Sequence, residues 1–141
     1  MASRHLTLRI SDDLYHRLGA QSRRERETVS ELARRLIEEG LRMEAHPGIV
    51  FRPGTTGRRP AVADGPQVWV VARVFREMKG PFERAVEKTA RLMELSPEKV
   101  QTAAQYYAEF SEEIDQWLQD LDDEAEQAYA TWEREQELLR V

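Results

Sequence analysis

Leu6-Thr7-Leu8-Arg9-Ile10 alternates apolar and polar side chains, the period of a β-strand with one buried face. Leu6, Leu8 and Ile10 share one side; His5, Thr7 and Arg9 share the other. No second strand lies within hairpin reach, because Ser11-Asp12-Asp13 opens a helix instead. Serine suits the N-cap, and the two acids suit the positive end of the helix dipole. A lone strand leaves its backbone groups without partners. Pairing with the same strand of a second copy, as an antiparallel ribbon across a dimer axis, is the economical solution. The first helix should run from Asp12 to Arg24 with Leu14, Tyr15 and Leu18 inward, and break at Arg26-Glu27. Thr28-Val29-Ser30-Glu31 then has capping-box spacing. It starts a second helix whose apolar stripe is Leu32, Ala33, Leu36, Ile37 and Leu41. One strand and two short helices expose too much apolar surface to be stable alone, and interlocking two copies would cover it.

The pattern changes at His46-Pro47-Gly48, which places a boundary near Ala45. Ile49–Arg52 and Arg59–Val62 flank Pro53-Gly54-Thr55-Thr56-Gly57 and predict a small hairpin or loop, ended by Asp64-Gly65-Pro66. The glycines and threonines of GTTGRR invite a phosphate-loop reading, but the Gly-Lys-Ser/Thr ending and the strand-to-helix context are missing. Three helical stripes follow: Val68, Val71, Ala72, Phe75 and Met78; then Phe82, Ala85, Val86, Ala90 and Met93; then Val100, Ala103, Ala104 and Tyr107, opened by Ser96-Pro97. The tight turn at Glu94-Leu95-Ser96 permits a helix-turn-helix. Lys99, Gln101, Thr102 and Gln105 are the outward candidates on its second helix. Only one of the four is basic, which favours a packing or partner-binding unit over direct DNA contact. The tyrosines and Trp69 read as core.

From Ser111 onward there is no Pro or Gly, so a single long helix is expected. Ile114, Trp117, Leu118 and Leu121 form its stripe, and Ala125, Ala128, Tyr129, Trp132 and Leu139 extend it between many carboxylates. Such a helix either packs on its own domain or, where local core runs out, lies in the groove of a basic protein. Leu121, Ala125, Tyr129, Trp132 and Leu139 are the candidate contacts, with Tyr129 and Trp132 as anchors, since Trp and Tyr dominate interface energetics.

Charge sharpens this division. The 141 residues carry a net −5, unevenly spread. Residues 1–26 hold six basic and three acidic groups, residues 46–110 ten and seven, and residues 111–141 two and eleven. A chain basic in front and acidic behind suggests two surfaces with different partners. With no cysteine, disulfides and thiolate metal sites are excluded, as suits a reducing cytoplasm. No apolar run approaches membrane-spanning length and the start lacks a secretory leader's apolar core, so a cytoplasmic location is expected. His5, His16 and His46 fall in three different elements without metal-ligand spacing. No catalytic residue, metal site or cofactor is expected, and the chain reads as a binding protein rather than an enzyme.

RHLTLRISDDLYHRL…ETVSELARRLIEEGL, over residues 4–43, resembles the ribbon-helix-helix regulators of the CopG/Arc/MetJ type. The resemblance implies a dimer whose ribbon enters the major groove of operator DNA. His5, Thr7 and Arg9 would read bases, and Thr28, Val29 and Ser30 would clamp a phosphate. The chemistry agrees: Arg grips guanine, Thr can touch a thymine methyl, and free N–H groups at a helix start bind phosphate. The bland alternative is that Thr7 and Arg9 merely solvate a strand face. Over residues 45–118, HPGIVFR…GRRPAV…VWVV…LSPEKVQTAAQYYAEFSEEIDQWL resembles bacterial helical domains with a helix-turn-helix-like core, often assigned as VapB-type antitoxins beside PIN-like nucleases. Their glycine-threonine-arginine element is replaced here by Gly65-Pro66-Gln67. The resemblance implies a PIN-like nuclease toxin as partner.

The expected fold is mainly α with a short N-terminal β-strand. Residues 1–44 form the dimeric ribbon-helix-helix, 45–118 a small hairpin with a helix-turn-helix-like domain, and 119–141 an acidic helical tail that binds toxin. The expected function is that of an antitoxin and autorepressor. A stand-alone regulator without a toxin and a structural helical dimer or adaptor are the rivals.

Overall fold

The computed structural model describes residues 2–55 and 57–140. The chain is mainly α-helical with one small two-stranded antiparallel sheet, and it divides into two compact units, 1–44 and 45–141.

In the first unit, helix α1 spans Asp12–Glu25 and α2 spans Val29–Ala45. Ser11 caps α1 by accepting a hydrogen bond from the Leu14 N–H at 3.1 Å, with Asp12 and Asp13 in the first turn and Arg23 and Arg24 in the last. The helix stops because Arg26 turns left-handed (φ 56°), and the Glu27 N–H then reaches back to the Ser22 carbonyl at 3.0 Å. This is the closure usually made with glycine. Thr28 Oγ1 accepts from the Glu31 N–H at 3.1 Å and starts α2. Arg35 then locks the corner, donating from Nε to Glu27 Oε1 at 3.2 Å and from Nη2 to Oε2 at 2.9 Å.

Residues 2–11 form neither helix nor strand in the single chain. Ser11 caps α1, none of them enters a β-ladder, and Leu6 and Leu8 stand 71% and 63% exposed. The expected N-terminal strand is therefore not formed in the single chain, where no segment lies alongside it to take its backbone hydrogen bonds. The apolar stripes of α1 and α2 are also open: Leu14, Tyr15, Leu36, Ile37 and Leu41 are exposed. Leu32 is the only apolar side chain fully buried among residues 2–44.

The second unit closes its own core. Strands β1 (Ile49–Arg52) and β2 (Arg59–Val62) pair antiparallel with Ile49 opposite Val62 and Arg52 opposite Arg59. Gly48, at φ 96°, lets the chain enter β1 against α5, where a Cβ would meet Thr102 Cγ2 at 3.2 Å. Helices α3 (Val68–Phe75), α4 (Phe82–Met93), α5 (Pro97–Glu109) and α6 (Ser111–Leu138) follow. Each join has a local cause. Gly80 at φ 109° and Pro81 separate α3 from α4. Glu94, left-handed at φ 56°, ends α4. Ser96 caps α5 from Lys99 N–H at 3.3 Å with Pro97 in its first turn.

Val68, Val71, Ala72, Val86, Ala90, Val100, Ala103, Tyr106, Ile114 and Leu118 interdigitate with Ile49 and Val62 in one core. Tyr106 sits at its centre, tilted against Phe110 with ring centroids 4.6 Å apart. Of the expected inward tyrosines, Tyr106 is buried and Tyr107 only half so. Leu118 and Ile114, fully buried, fasten the first two turns of α6 to this core. Leu118→Ala should cost about 2–5 kcal/mol through lost transfer energy and the cavity left behind, read as a lower urea midpoint for the full chain.

Candidate nucleic-acid and partner interfaces

The readers implied by the ribbon-helix-helix resemblance fall on exposed backbone. His5, Thr7 and Arg9 are all exposed in residues 2–11, and Thr28, Val29 and Ser30 are exposed at the start of α2. The first N–H groups of a helix have no intrahelical acceptor. Thr28 Oγ1 takes that of Glu31 and the Thr28 carbonyl takes that of Leu32 at 3.0 Å, so the N–H groups of Val29 and Ser30 point outward at the positive end of the α2 dipole. An anion can be held there without a charged side chain. Among the described residues, no hydrogen bond or ion pair joins His5, Thr7 or Arg9 to Thr28–Ser30. The single chain does not assemble the two halves into one surface.

The tail candidates are continuous with the core-facing stripe of α6. At about 100° per residue, Ile114, Leu118, Leu121, Ala125, Tyr129 and Trp132 share one face. The stripe passes from buried to exposed along the helix: Ile114 and Leu118 are buried, Leu121 is half-buried, and Ala125 is exposed. Tyr129 and Trp132 are 61% and 52% exposed and stack on each other, centroids 5.9 Å apart at 27°. Leu139 is exposed and caps the end of the helix rather than lying within it. Beyond Leu121 none of the described side chains is buried, so about 25 Å of helix carries an apolar-aromatic row with no cover in its own chain.

The root of α6 is held by charge. Arg73 Nη2 meets Asp122 Oδ1 at 3.2 Å, Arg76 Nη1 meets Asp115 Oδ1 at 3.6 Å, and the Arg59 guanidinium lies 4.5 Å from the Trp117 ring centre. Tyr107 donates its hydroxyl proton to Asp115 Oδ1 at 2.5 Å. Burial first, and then that hydrogen bond, push Tyr107 up from 10.0 to about 12. The fold thus holds the phenolic proton longer than the unfolded chain does. This contact contributes stability fully below pH 10 and loses it as pH rises toward about 12. A tyrosinate absorbance titration should show one residue delayed, moved part of the way back by Asp115→Asn. None of these pairs is legible in the sequence: Arg73 and Asp122 lie 49 positions apart, and Arg59 and Trp117 are farther still.

Two readings of the middle region that the sequence already disfavoured gain nothing from the structure. The GTTGRR segment is a hairpin tip closed on itself: Gly54 N–H bonds Gly57 O at 3.0 Å and Gly57 N–H bonds Gly54 O at 3.2 Å. With those donors used and β2 rather than a helix following, the phosphate-loop reading is set aside; Thr56 of that segment lies outside the described residues. Of the four outward candidates on α5, two are committed internally. Lys99 Nζ donates to the Asp64 carbonyl at 2.9 Å, and Thr102 Oγ1 donates to the Glu98 carbonyl at 2.9 Å. Gln101 and Gln105 remain on the outer face, both exposed.

His46 hydrogen-bonds Glu109 through Nε2 and packs edge-on against Tyr106, centroids 5.2 Å apart. Among the described residues no group of three or more His, Asp or Glu side chains is arranged to hold a metal ion. No helix is long and apolar enough to cross a membrane. Comparison of the chain with family models, with curated proteins and with solved structures finds no match.

Proposed function

We propose that the chain is a dimeric, sequence-specific DNA-binding protein that also captures a basic nuclease, as an antitoxin and autorepressor does. The observation that carries the first half is the incompleteness of residues 2–44. An alternating segment exposes Leu6, Leu8 and Ile10, two helices leave their apolar stripes open, and Leu32 alone is fully buried. A unit of this size cannot stay folded on one buried leucine. A second copy supplies both missing halves, a strand to pair with and an apolar face to cover. In that dimer His5, Thr7 and Arg9 face away from the helices on a two-stranded ribbon, a shape that fits the major groove. The outward N–H groups of Val29 and Ser30 grip the flanking backbone, which fixes register rather than sequence.

The second half is supported by α6. Its uncovered row bears two stacked aromatics and is bordered by Asp122, Asp123, Glu124, Glu126, Glu133, Glu135 and Glu137. Two such helices repel each other, so a cationic groove is the better complement. A PIN-like ribonuclease, implied by the antitoxin resemblance, is the specific partner proposed. Both roles are binding roles, and none of the side chains assigned to them does covalent chemistry.

A mobility shift on the chain's own promoter across a salt series tests the DNA half: tight binding that weakens steeply with salt is expected. Arg9→Ala should lose about 1–3 kcal/mol on the cognate site and relax selectivity at one base pair. An equal loss on random duplex would reassign Arg9 to the phosphates. No salt-dependent binding at all would leave a structural dimer or adaptor. DNA binding without any co-purifying nuclease would leave a stand-alone regulator.

A further inference from the structure

Helices α4 and α5 make the helix-turn-helix-like pair, and a groove of about 530 Å³ runs between them. Phe82 and Val86 line its floor, Glu83 and Glu87 stand on the α4 wall, and Gln101 and Gln105 on the α5 wall. The spacing is helical on both sides, so each pair stacks one turn apart on one face. We infer that this groove docks a cationic segment of a partner protein, an arginine or lysine side chain seated between Glu83 and Glu87 over Phe82 and Val86, with Gln101 and Gln105 bonding the segment's backbone.

Several observations choose that occupant. Among the described residues neither Glu83 nor Glu87 has an ion-pair partner, and neither Gln101 nor Gln105 has a hydrogen-bonded one. Four polar heads therefore converge on an apolar floor without being used by the fold. The floor is open as well: Phe82, packed edge-on to Phe75 at 5.5 Å, keeps 43% of its surface exposed. Arg84 and Lys88 fall about 100° around the helix from Glu83 and Glu87. Arg91 stands one turn after Glu87 and lines the adjoining hollow together with it, without forming an ion pair, so Glu83 is the carboxylate farther from that cation.

A phosphate backbone is the wrong ligand here. Nucleic-acid affinity comes mainly from neutralising phosphates, whereas this wall carries two carboxylates and the one lysine of α5 is tied to Asp64 O. Gln can read adenine, but only on a face the backbone can approach. A long cationic side chain has the complementary shape, with an aliphatic stem for the floor and a charged head for the carboxylates. The inference rests on neither the ribbon nor the tail.

The test is an NMR titration of the full chain with Ac-Leu-Arg-Leu-NH2, against Ac-Leu-Glu-Leu-NH2 and a random 20-base-pair duplex as comparisons. Residues 82–87 and the side-chain amides of Gln101 and Gln105 should shift with the arginine peptide only. Glu83→Gln with Glu87→Gln should weaken that binding about tenfold or more. Both side chains are exposed, so the fold should persist, as circular dichroism can verify. Gln105→Glu adds a carboxylate and should tighten binding about threefold. Equal shifts with the glutamate peptide, shifts confined to residues 122–137, no shift at all, or shifts of these residues with the duplex would each overturn the inference.

Discussion

Leu8→Asp should convert the protein to a monomer and weaken operator binding by about 100-fold or more. Leu8 lies at the middle of the apolar row Leu6, Leu8, Ile10 and is largely exposed in the single chain. In a twofold ribbon that row turns inward and the two copies of Leu8 come close together. Each buried leucine contributes about 1.5–3 kcal/mol by leaving water. An aspartate there forfeits that gain twice, and unpaired charges forced inward cost several kcal/mol more. Because α1 and α2 have little buried surface of their own, losing the ribbon should also loosen both helices. Sedimentation equilibrium, far-ultraviolet circular dichroism and a mobility shift on one sample would read all three effects. Arg9→Ala, one residue away on the opposite face, should leave the dimer intact and damage only DNA binding. This contrast between neighbours follows from the period of two. A Leu8→Asp protein that remains dimeric and still binds its promoter would refute the ribbon.

Trp132→Ala and Tyr129→Ala should each weaken capture of the proposed basic nuclease by about 30-fold, the effect of an interface anchor worth about 2 kcal/mol. Removing residues 122–141 should abolish capture altogether. The expectation rests on position as much as on residue type. The row they belong to is the same one that Ile114 and Leu118 bury in the core, and it loses its cover past Leu121. Alanine is the best helix former, so neither substitution should unwind α6, and Arg73 with Asp122 and Arg59 with Trp117 hold the root of the helix independently. Calorimetry against the nuclease co-purified from the native operon is the measurement, with promoter binding as the control that should not change. Unaltered affinity after removal of 122–141 would separate the tail from any toxin while leaving the ribbon untouched.

Much of the molecule is legible in its sequence. Ser11, Thr28 and Ser96 each cap the helix they were expected to cap, and α1 and α2 begin where their caps place them. The hairpin at Ile49–Arg52 and Arg59–Val62 and the uninterrupted α6 also follow from local pattern. These features depend on groups within about four residues of each other, through cap hydrogen bonds and side-chain period, so sequence spacing is nearly the same as distance. The helix ends at Arg26 and Glu94 also fall where the pattern breaks, and only their left-handed turn without a glycine is not legible in the sequence.

What the sequence determined by itself is the order of elements, which face of each is apolar, and the change from a basic front to an acidic rear. Tertiary structure decided which of those faces are covered: Ile114 and Leu118 but not Tyr129 and Trp132, and almost nothing in residues 2–44. It also decided which charges are spent, taking Lys99 for Asp64 and Arg73 for Asp122 while leaving Glu83 and Glu87 open beside Gln101 and Gln105. The reason is that burial and ion pairing require proximity in space between residues far apart in the chain, and only the packing of the helices sets that distance.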